Sequence, residues 1–113
     1  MAVYVVNLVI DQGTDFSQTY NLEGSTTNSA LDLTGYTGAA QLRKHSSSSK
    51  SHVFTVSFPD RAAGQIKIEM SDTVTRTIKP GRYIYDIILT DTSGLKERVV
   101  EGSALVREGA TKE

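Results

Sequence analysis

The stretch that most constrains the fold lies near the C-terminus, where two strand patterns and a turn follow one another over residues 79–102. Pro80 and Gly81 favour a chain reversal before the first strand, because proline presets φ at one central turn position and glycine accepts a positive φ at the next. Large apolar side chains then recur at every second position, which is the spacing of one face of a β-strand. The stretch therefore predicts a β-hairpin, and its first strand has a core face of Tyr83, Tyr85, Ile87 and Leu89.

The returning strand offers a matching face of Val100, Gly102, Ala104 and Val106. Its register depends on the length of the turn that follows Asp91. A two-residue turn would place Asp86 opposite Glu101, and like charges that face each other destabilise a sheet. A four-residue turn would pair Asp86 with Val99 instead, so we expect the longer loop.

Length and composition are those of an ordinary globular domain. With 113 residues, of which 38% are hydrophobic, the chain can build one continuous core, so we expect a single domain over residues 1–113. Its 12 basic and 13 acidic residues provide no basic excess of the kind that binds nucleic acid or an anionic membrane, and we expect neither partner. The absence of cysteine excludes a disulfide framework and a thiolate site.

The N-terminal ten residues have apolar side chains on both faces of a predicted strand. One face consists of Val3, Val5 and Val9, and the other of Tyr4, Val6, Leu8 and Ile10. The segment lacks the basic start of a signal peptide and is shorter than the roughly 20 residues that a membrane-spanning helix needs. An outer strand of a two-layer sandwich buries one face, so the other is surplus.

Four further strand patterns lie between these two segments, at residues 15–22, 37–44, 52–58 and 65–70. Ser71 and Asp72 can begin one short helical turn. No segment has the length and periodicity of a full amphipathic helix. The pattern predicts an all-β fold, a single antiparallel β-sandwich of about seven strands with one short helical turn. The polar loops at residues 24–30 and 45–51 lack apolar anchors, and we expect both to be mobile.

No combination of residues indicates catalysis or metal binding. His45 and His52 are seven residues apart across a serine-rich loop, and no third ligand lies near them in sequence. The carboxylates of the hairpin have no partner that would distinguish a general acid from a general base. The chain contains neither a nucleophile elbow nor a phosphate-binding glycine pattern. We therefore expect no enzymatic activity, no catalytic residue, no cofactor and no metal.

Tyr83 follows a turn near the start of the penultimate strand, which is the place of the tyrosine corner in immunoglobulin-like sandwiches. Two stretches extend this resemblance. They are LDLTGY at residues 31–36 with AQLR at 40–43, and PGRYIYDIILTD at 80–91 with Gly94 and RVVEG at 98–102. Their order and spacing resemble small immunoglobulin-like domains of tailed-bacteriophage virion proteins, in particular the N-terminal domain of phage baseplate upper proteins.

The resemblance implies a non-enzymatic adaptor or connector subunit of the tail, baseplate or fibre attachment region. Such a subunit would dock to other virion proteins and to copies of itself in a symmetric multi-copy assembly. Its localisation would be the virion, after synthesis in the cytoplasm of the infected bacterial host. A capsid decoration protein and a carbohydrate-binding or adhesive sandwich, which would use exposed tyrosines, are the alternatives.

Six residues are predicted to bind these partners: Val3, Val5, Val9, Ile84, Ile88 and Val99. The three N-terminal valines form the surplus face of the first strand. The other three are expected on the outward side of the hairpin among charged residues, which gives an apolar centre with a charged rim of the kind that interfaces often have.

Overall fold

The computed structural model describes residues 3–23 and 30–111, and nearly all of its regular structure is β-strand. The elements are β1 (Tyr4–Val5), β2 (Leu8–Asp11), β3 (Phe16–Asn21), β4 (Thr37–Arg43), β5 (Ser51–Ser57), β6 (Gln65–Met70), α1 (Asp72–Thr75), β7 (Gly81–Thr90) and β8 (Lys96–Arg107). The predicted all-β class with one short helical turn is confirmed.

The strands form two layers that β5 connects. Pairing follows the order β1, β8, β7, β4, β5, β6, β3, with β2 also beside β8. The first half of β5, residues 51–54, pairs with β4, whereas residues 55–57 pair with β6. A larger layer of β1, β2, β8, β7 and β4 thus continues into a smaller layer of β6 and β3, and the two pack face to face as a sandwich.

Two features of this sandwich are those of the immunoglobulin fold. The fourth and seventh strands pair within the larger layer, and the third and sixth pair within the smaller one. Tyr83 forms the expected tyrosine corner, because its Oη donates a hydrogen bond to the Lys79 carbonyl at 2.7 Å.

The N-terminal segment corrects the expectation of a wholly antiparallel sandwich. Tyr4 lies beside Val100 and Leu8 beside Ala104, and both β1 and β2 run parallel to β8. This pairing places the side chains of Leu8 and Ile10 in the core, where they are 5% and 0% exposed. The segment therefore extends the larger layer, although β3 follows it in sequence.

The N-terminal segment was predicted to be one strand, but the structure has a break between β1 and β2. Val6 N donates to the Glu101 carbonyl at 3.0 Å, and Asn7 Oδ1 accepts a hydrogen bond from Ser103 N at 3.1 Å. The break packs directly on Gly102. A Cβ on Gly102 would collide with the Val6 carbonyl oxygen and would lie 2.8 Å from its carbonyl carbon. Glycine at this position thus permits the close approach of the two backbones.

The hydrophobic core lies between the two layers. The predicted inward faces of the hairpin are confirmed, with buried Tyr83, Tyr85, Ile87 and Leu89 on β7 and buried Val100, Ala104 and Val106 on β8. The Phe54 ring lies 6.2 Å from the Tyr85 ring and 6.0 Å from the Phe16 ring, so aromatic contacts join the layers. Leu33 and Ile78, outside the strands, are completely buried at the ends of the core.

The hairpin register contains a β-bulge that the sequence reasoning did not predict. Ile87 lies opposite Val100, but Ile88 lies opposite Arg98, so Val99 is an extra residue in β8. The connecting loop, residues 91–95, is long as expected. The predicted pairing of Asp86 with Val99 is wrong, however, because the loop is one residue longer than predicted and the bulge adds another residue, which together bring Asp86 opposite Glu101.

Arg98 explains how the sheet tolerates these two facing carboxylates. Its Nε lies 3.1 Å from Asp86 Oδ2, and its Nη1 lies 3.9 Å from Glu101 Oε1. A cation between two acids offsets the repulsion that a direct pair would suffer.

The two stretches that carry the family resemblance include turns that lie close together at Gly35 and Thr92. Asp32 Oδ1 accepts hydrogen bonds from Thr34 N and Oγ1 at 3.0 and 2.6 Å, and Asp91 Oδ1 accepts from Leu95 N at 3.0 Å. Hydrogen bonds from Thr34 and from Ser93 lower the pKa of Asp32 and Asp91 respectively. Gly35 has a φ of 82°, and a Cβ there would lie 2.5 Å from Thr92 Cγ2. These motifs therefore shape one end of the sandwich.

The two polar loops differ in what the structure describes. Most of the predicted mobile loop at residues 24–30 lies outside the described residues. The loop at 45–51 contains a local turn, in which Ser48 N donates to the His45 carbonyl and His45 N donates to Ser48 Oγ, both at 3.0 Å. Its predicted mobility stays a prediction.

Candidate functional site

Exposed apolar side chains concentrate on one face of the larger layer. The large apolar side chains that are more than a third exposed are Val3, Val5, Val9, Val53, Val74, Ile84 and Leu95. Val74 belongs to α1 and Leu95 to the loop between β7 and β8. The other five lie on β1, β2, β5 and β7 or, as Val3, immediately before β1.

Strand register places these side chains together. One row of directly opposed residues crosses five strands and consists of Val53, Gln41, Asp86, Glu101 and Val5. The neighbouring rows contain Arg43, Ile84 and Ser103, and then Arg82, Leu105 and Val9. Opposed residues in a sheet point to the same side. We call this side of the larger layer, which carries Val5, Val9, Val53 and Ile84, the outward face.

The two surfaces that the sequence predicted separately are therefore one surface. Val5 and Val9 are 71% and 50% exposed, and Ile84 is 42% exposed. Val3 is exposed and continues the same alternation, whereas Ile88 is half-buried beside Arg98. Parallel pairing of β1 and β2 with β8 brings the N-terminal valines next to the hairpin.

Val99 does not belong to this surface, and its predicted partner-binding role is wrong. Its side chain is 1% exposed and packs in the core. The bulge is the cause, because two consecutive residues of β8, Val99 and Val100, both point inward at this position. Two adjacent valines in a strand of otherwise alternating pattern are the sequence signal that was missed.

The outward face also differs from the prediction in the arrangement of its charges. Its centre is polar, with Arg98 between Asp86 and Glu101, and its apolar side chains lie to either side. Val53 lies on one side of this centre and Val5 on the other. The predicted apolar centre with a charged rim is thus reversed.

A shallow groove of about 580 Å³ crosses the middle of the outward face. It is lined by Gln41, Arg43, Ser46, Ile84, Tyr85, Asp86, Arg98, Glu101 and Gly102. Arg43 donates to Gln41 Oε1 at 2.8 Å and to the Ser48 carbonyl, which fixes its guanidinium beside the groove. Two arginines and two carboxylates balance their charges, so the groove suits a partner with both polar and apolar groups.

Tyr85 contacts the groove and forms a buried pair with Tyr20 inside the sandwich. Tyr85 Oη donates to the Val6 carbonyl and lies 3.0 Å from Tyr20 Oη. Burial raises the pKa of both hydroxyls, and the hydrogen bond that Tyr20 Oη donates to Tyr85 Oη further raises the pKa of Tyr20. Two neutral hydroxyls at neutral pH act here as hydrogen-bonding groups between the layers.

Neither histidine is among the residues that line the groove. His45 is exposed, and His52 is half-buried with its ring 6.3 Å from that of Tyr83. Burial and the nearby charge of Lys50 lower the pKa of His52. Within residues 3–23 and 30–111, no three or more histidine, aspartate or glutamate side chains are grouped to hold a metal ion. None of the helices in the described part of the chain is long and apolar enough to cross a membrane.

No protein-family model matches this chain, and no curated protein matches it. Solved structures with a similar backbone include an internalin-like protein of Listeria monocytogenes, at 12% identity and a TM-score of 0.46 over 95% of this chain and 28% of that one. Others are the N-terminal four Ig domains of Dscam1 isoform 7.44, at 14% identity and a TM-score of 0.42, and a family 123 glycoside hydrolase from Clostridium perfringens, at 13% identity and 0.44. Each of these two matches covers 96% of this chain and 24% of the other protein's chain.

Proposed function

We propose that this chain is a non-enzymatic structural subunit of a tailed-bacteriophage virion, an adaptor or connector that docks to neighbouring virion proteins through the outward face. The phage assignment rests on the sequence resemblance of residues 31–43 and 80–102. The docking role rests on one observation, which is that the two surplus apolar surfaces form a single continuous face.

The exposed apolar side chains of this face contribute free energy to docking. Complete burial of a valine or isoleucine side chain stabilises an interface by roughly 1.5–3 kcal/mol. Val5, Val9, Val53 and Ile84 retain 42% to 71% of their exposure, so each gains a part of that amount when a neighbour covers it. Many copies arranged by symmetry then add these contributions across the assembly.

The polar centre of the outward face, formed by Arg98, Asp86 and Glu101, helps to define the orientation in which a neighbour docks. The ion pairs of Arg98 with Asp86 and Glu101 are all between side chains that are more than a third exposed, so solvent screens them in the free subunit. A neighbour that excludes water from them strengthens their electrostatic interactions and penalises a wrong docking orientation.

The carbohydrate-binding alternative loses the feature that favoured it. Tyr20, Tyr83 and Tyr85 are buried, and their hydroxyls form hydrogen bonds inside the sandwich. Tyr4 and Tyr36 pack partly against the same core. A sugar-stacking platform needs exposed aromatic faces, which these five side chains do not provide together.

Mass spectrometry of purified virions tests the proposal. We expect peptides of this chain in intact particles, in a fixed ratio to a tail or baseplate protein. Glycan-array binding by the isolated chain is the matching test of the alternative. Absence of the chain from particles, combined with specific glycan binding, would replace the structural role with an adhesive one.

A further inference from the structure

The outer edge of β3 is an open position in the smaller layer. In the constant-type immunoglobulin sandwich this layer has four strands, and the first strand of the chain lies in it. Here both N-terminal strands pair with β8 instead. Among the described residues, β6 is the sole strand that pairs with β3, which ends the strand order.

The backbone groups that point away from β6 follow from the alternation of an antiparallel ladder. Leu22 N donates to the Gly64 carbonyl at 2.8 Å, which continues the ladder beyond the paired residues of β3 and β6. Even-numbered residues of β3 therefore bond to β6, and Ser17, Thr19 and Asn21 direct their N–H and C=O groups to the free edge. Glu23 N, on that same side, donates to Tyr4 Oη at 3.1 Å, as this assignment requires.

Within the described residues, β3 itself lacks the sequence features that usually protect an edge strand. Proteins block such edges with charged side chains, proline, bulges or very short strands. The sequence of β3, FSQTYN, contains no charge and no proline, and its pairing with β6 is regular over all six residues. The other outer strand of the sandwich, by contrast, is interrupted between β1 and β2.

We propose that β3 is a self-association site, where the β3 strand of a second copy of this chain adds in antiparallel orientation about a two-fold axis at Thr19. In this register Thr19 faces Thr19 of the second copy, and Ser17 faces its Asn21. These facing pairs consist of odd-numbered residues, whose N–H and C=O groups point to the edge, so each of them can form two hydrogen bonds. In the pair, the Thr19 carbonyl accepts a hydrogen bond from Thr19 N of the second copy, which replaces its long contact with Gln18 Nε2 at 3.4 Å.

Side-chain chemistry favours a second copy as the occupant. The facing side chains are serine, threonine and asparagine, which form favourable cross-strand pairs and place no like charges opposite one another. Lys67 and Glu69 lie one strand further back, beside Thr19 and Ser17. Longer pairing would bring Asp15 opposite Glu23, and these like charges repel each other. The self-complementary segment therefore extends only from Ser17 to Asn21. The association extends the smaller layer and leaves the outward face free for docking.

Charge substitution at the axis tests this inference by sedimentation of the purified full chain. Thr19→Glu is compatible with the fold, because Lys67 is its cross-strand neighbour within one copy, but it places two carboxylates face to face in the pair. We expect it to weaken association about fivefold or more. The matched control is Ser57→Glu, which puts a carboxylate beside the same Lys67 from β5, in the interior of the layer, and should associate like the unmodified chain.

Mixing provides the second measurement. An equimolar mixture of the Thr19→Glu and Thr19→Lys variants should associate more strongly than either variant alone, because residue 19 faces itself across the axis. A Thr19→Cys variant should also form a disulfide-linked dimer on mild oxidation, since the chain has no cysteine of its own. A monomeric unmodified chain at high micromolar concentration would overturn the inference. Equal association of the Thr19→Glu and Ser57→Glu variants, or no recovery on mixing, would also overturn it.

Discussion

The two faces of β7 have the same backbone but serve different purposes. Inward-facing Tyr83, Tyr85, Ile87 and Leu89 are 8% exposed or less. Outward-facing Ile84 is 42% exposed, and its neighbour Asp86 forms an ion pair with Arg98. The inward side is fixed by packing and by tyrosine hydrogen bonds, whereas the outward side chains of β7 are exposed or half-buried. Whether an apolar residue of β7 packs in the core or remains available for binding therefore depends on whether its position in the alternating strand points inward or outward.

Replacing an isoleucine by alanine on each face of β7 should give the largest difference in the free energy of unfolding. Ile87→Ala removes a completely buried side chain and should lower the free energy of unfolding by about 2–5 kcal/mol. Ile84→Ala, three residues earlier on the outward face, should lower it by less than about 1 kcal/mol. Urea denaturation of both variants measures the difference. Similar losses for the two would show that Ile84 belongs to the core.

Gly102 extends the comparison to the N-terminal segment. Gly102→Ala forces a methyl group against the Val6 carbonyl and should cost about 1–3 kcal/mol or more, with release of β1 from β8. Gly109→Ala is the control, because a Cβ there meets no atom within 4 Å and no positive φ is required. Denaturation together with amide exchange of Val6 measures both effects. Unchanged protection of Val6 N in Gly102→Ala would contradict the predicted release.

Tyr85→Phe tests the polar part of the inward face. It removes the donor to the Val6 carbonyl and the partner of Tyr20 Oη while the ring remains. Leaving buried polar groups without partners costs about 1–3 kcal/mol. Tyr83→Phe removes one hydrogen bond, to Lys79 O, and should cost less. The order of the two losses in thermal or urea unfolding decides the matter, and a larger loss for Tyr83→Phe would contradict the account.

Arg98→Gln should have the smallest effect, because its partners are more than a third exposed. It uncovers the facing carboxylates of Asp86 and Glu101, which should lower stability by no more than about 1 kcal/mol. Added salt should diminish the loss, and a second substitution, Glu101→Gln, should restore most of it. A loss that salt does not alter would mean that Arg98 stabilises the bulge by packing.

The sequence predicted those parts of the fold that depend on local alternation. The core residues of β7 and β8, the loop that begins at Asp91 and the four middle strands follow from period-two patterns and turn chemistry. The bulge at Val99 breaks this alternation, because Val99 and Val100 both point inward, and its position is defined by the pairing of β8 with β7. Parallel pairing of β1 and β2 with β8 depends on contacts between the two ends of the chain.

The candidate site was predicted in pieces for the same reason. Val5, Val9 and Ile84 were identified as exposed apolar residues by parity alone. Their union on one face, and the participation of Val53, required the order of the strands. Long-range pairing is the property that a single sequence specifies least directly.

Incorporation of an outward-face variant into particles tests whether this chain docks through the outward face. Ile84→Asp with Val9→Asp places two carboxylates on the outward face, where the opposed residues include Arg43, Ser103 and Leu105 but no acid. The control, Val74→Asp with Leu95→Asp, adds the same charge at exposed apolar positions outside that face. Both variants should fold, as circular dichroism and urea denaturation will show.

Each variant is then supplied during infection by a phage whose own copy is disrupted, and purified particles are analysed by quantitative mass spectrometry. We expect the control to be incorporated like the unmodified chain. The Ile84→Asp, Val9→Asp variant should be absent from the particles or strongly depleted in them. Equal incorporation of a folded outward-face variant would contradict the docking role of this surface.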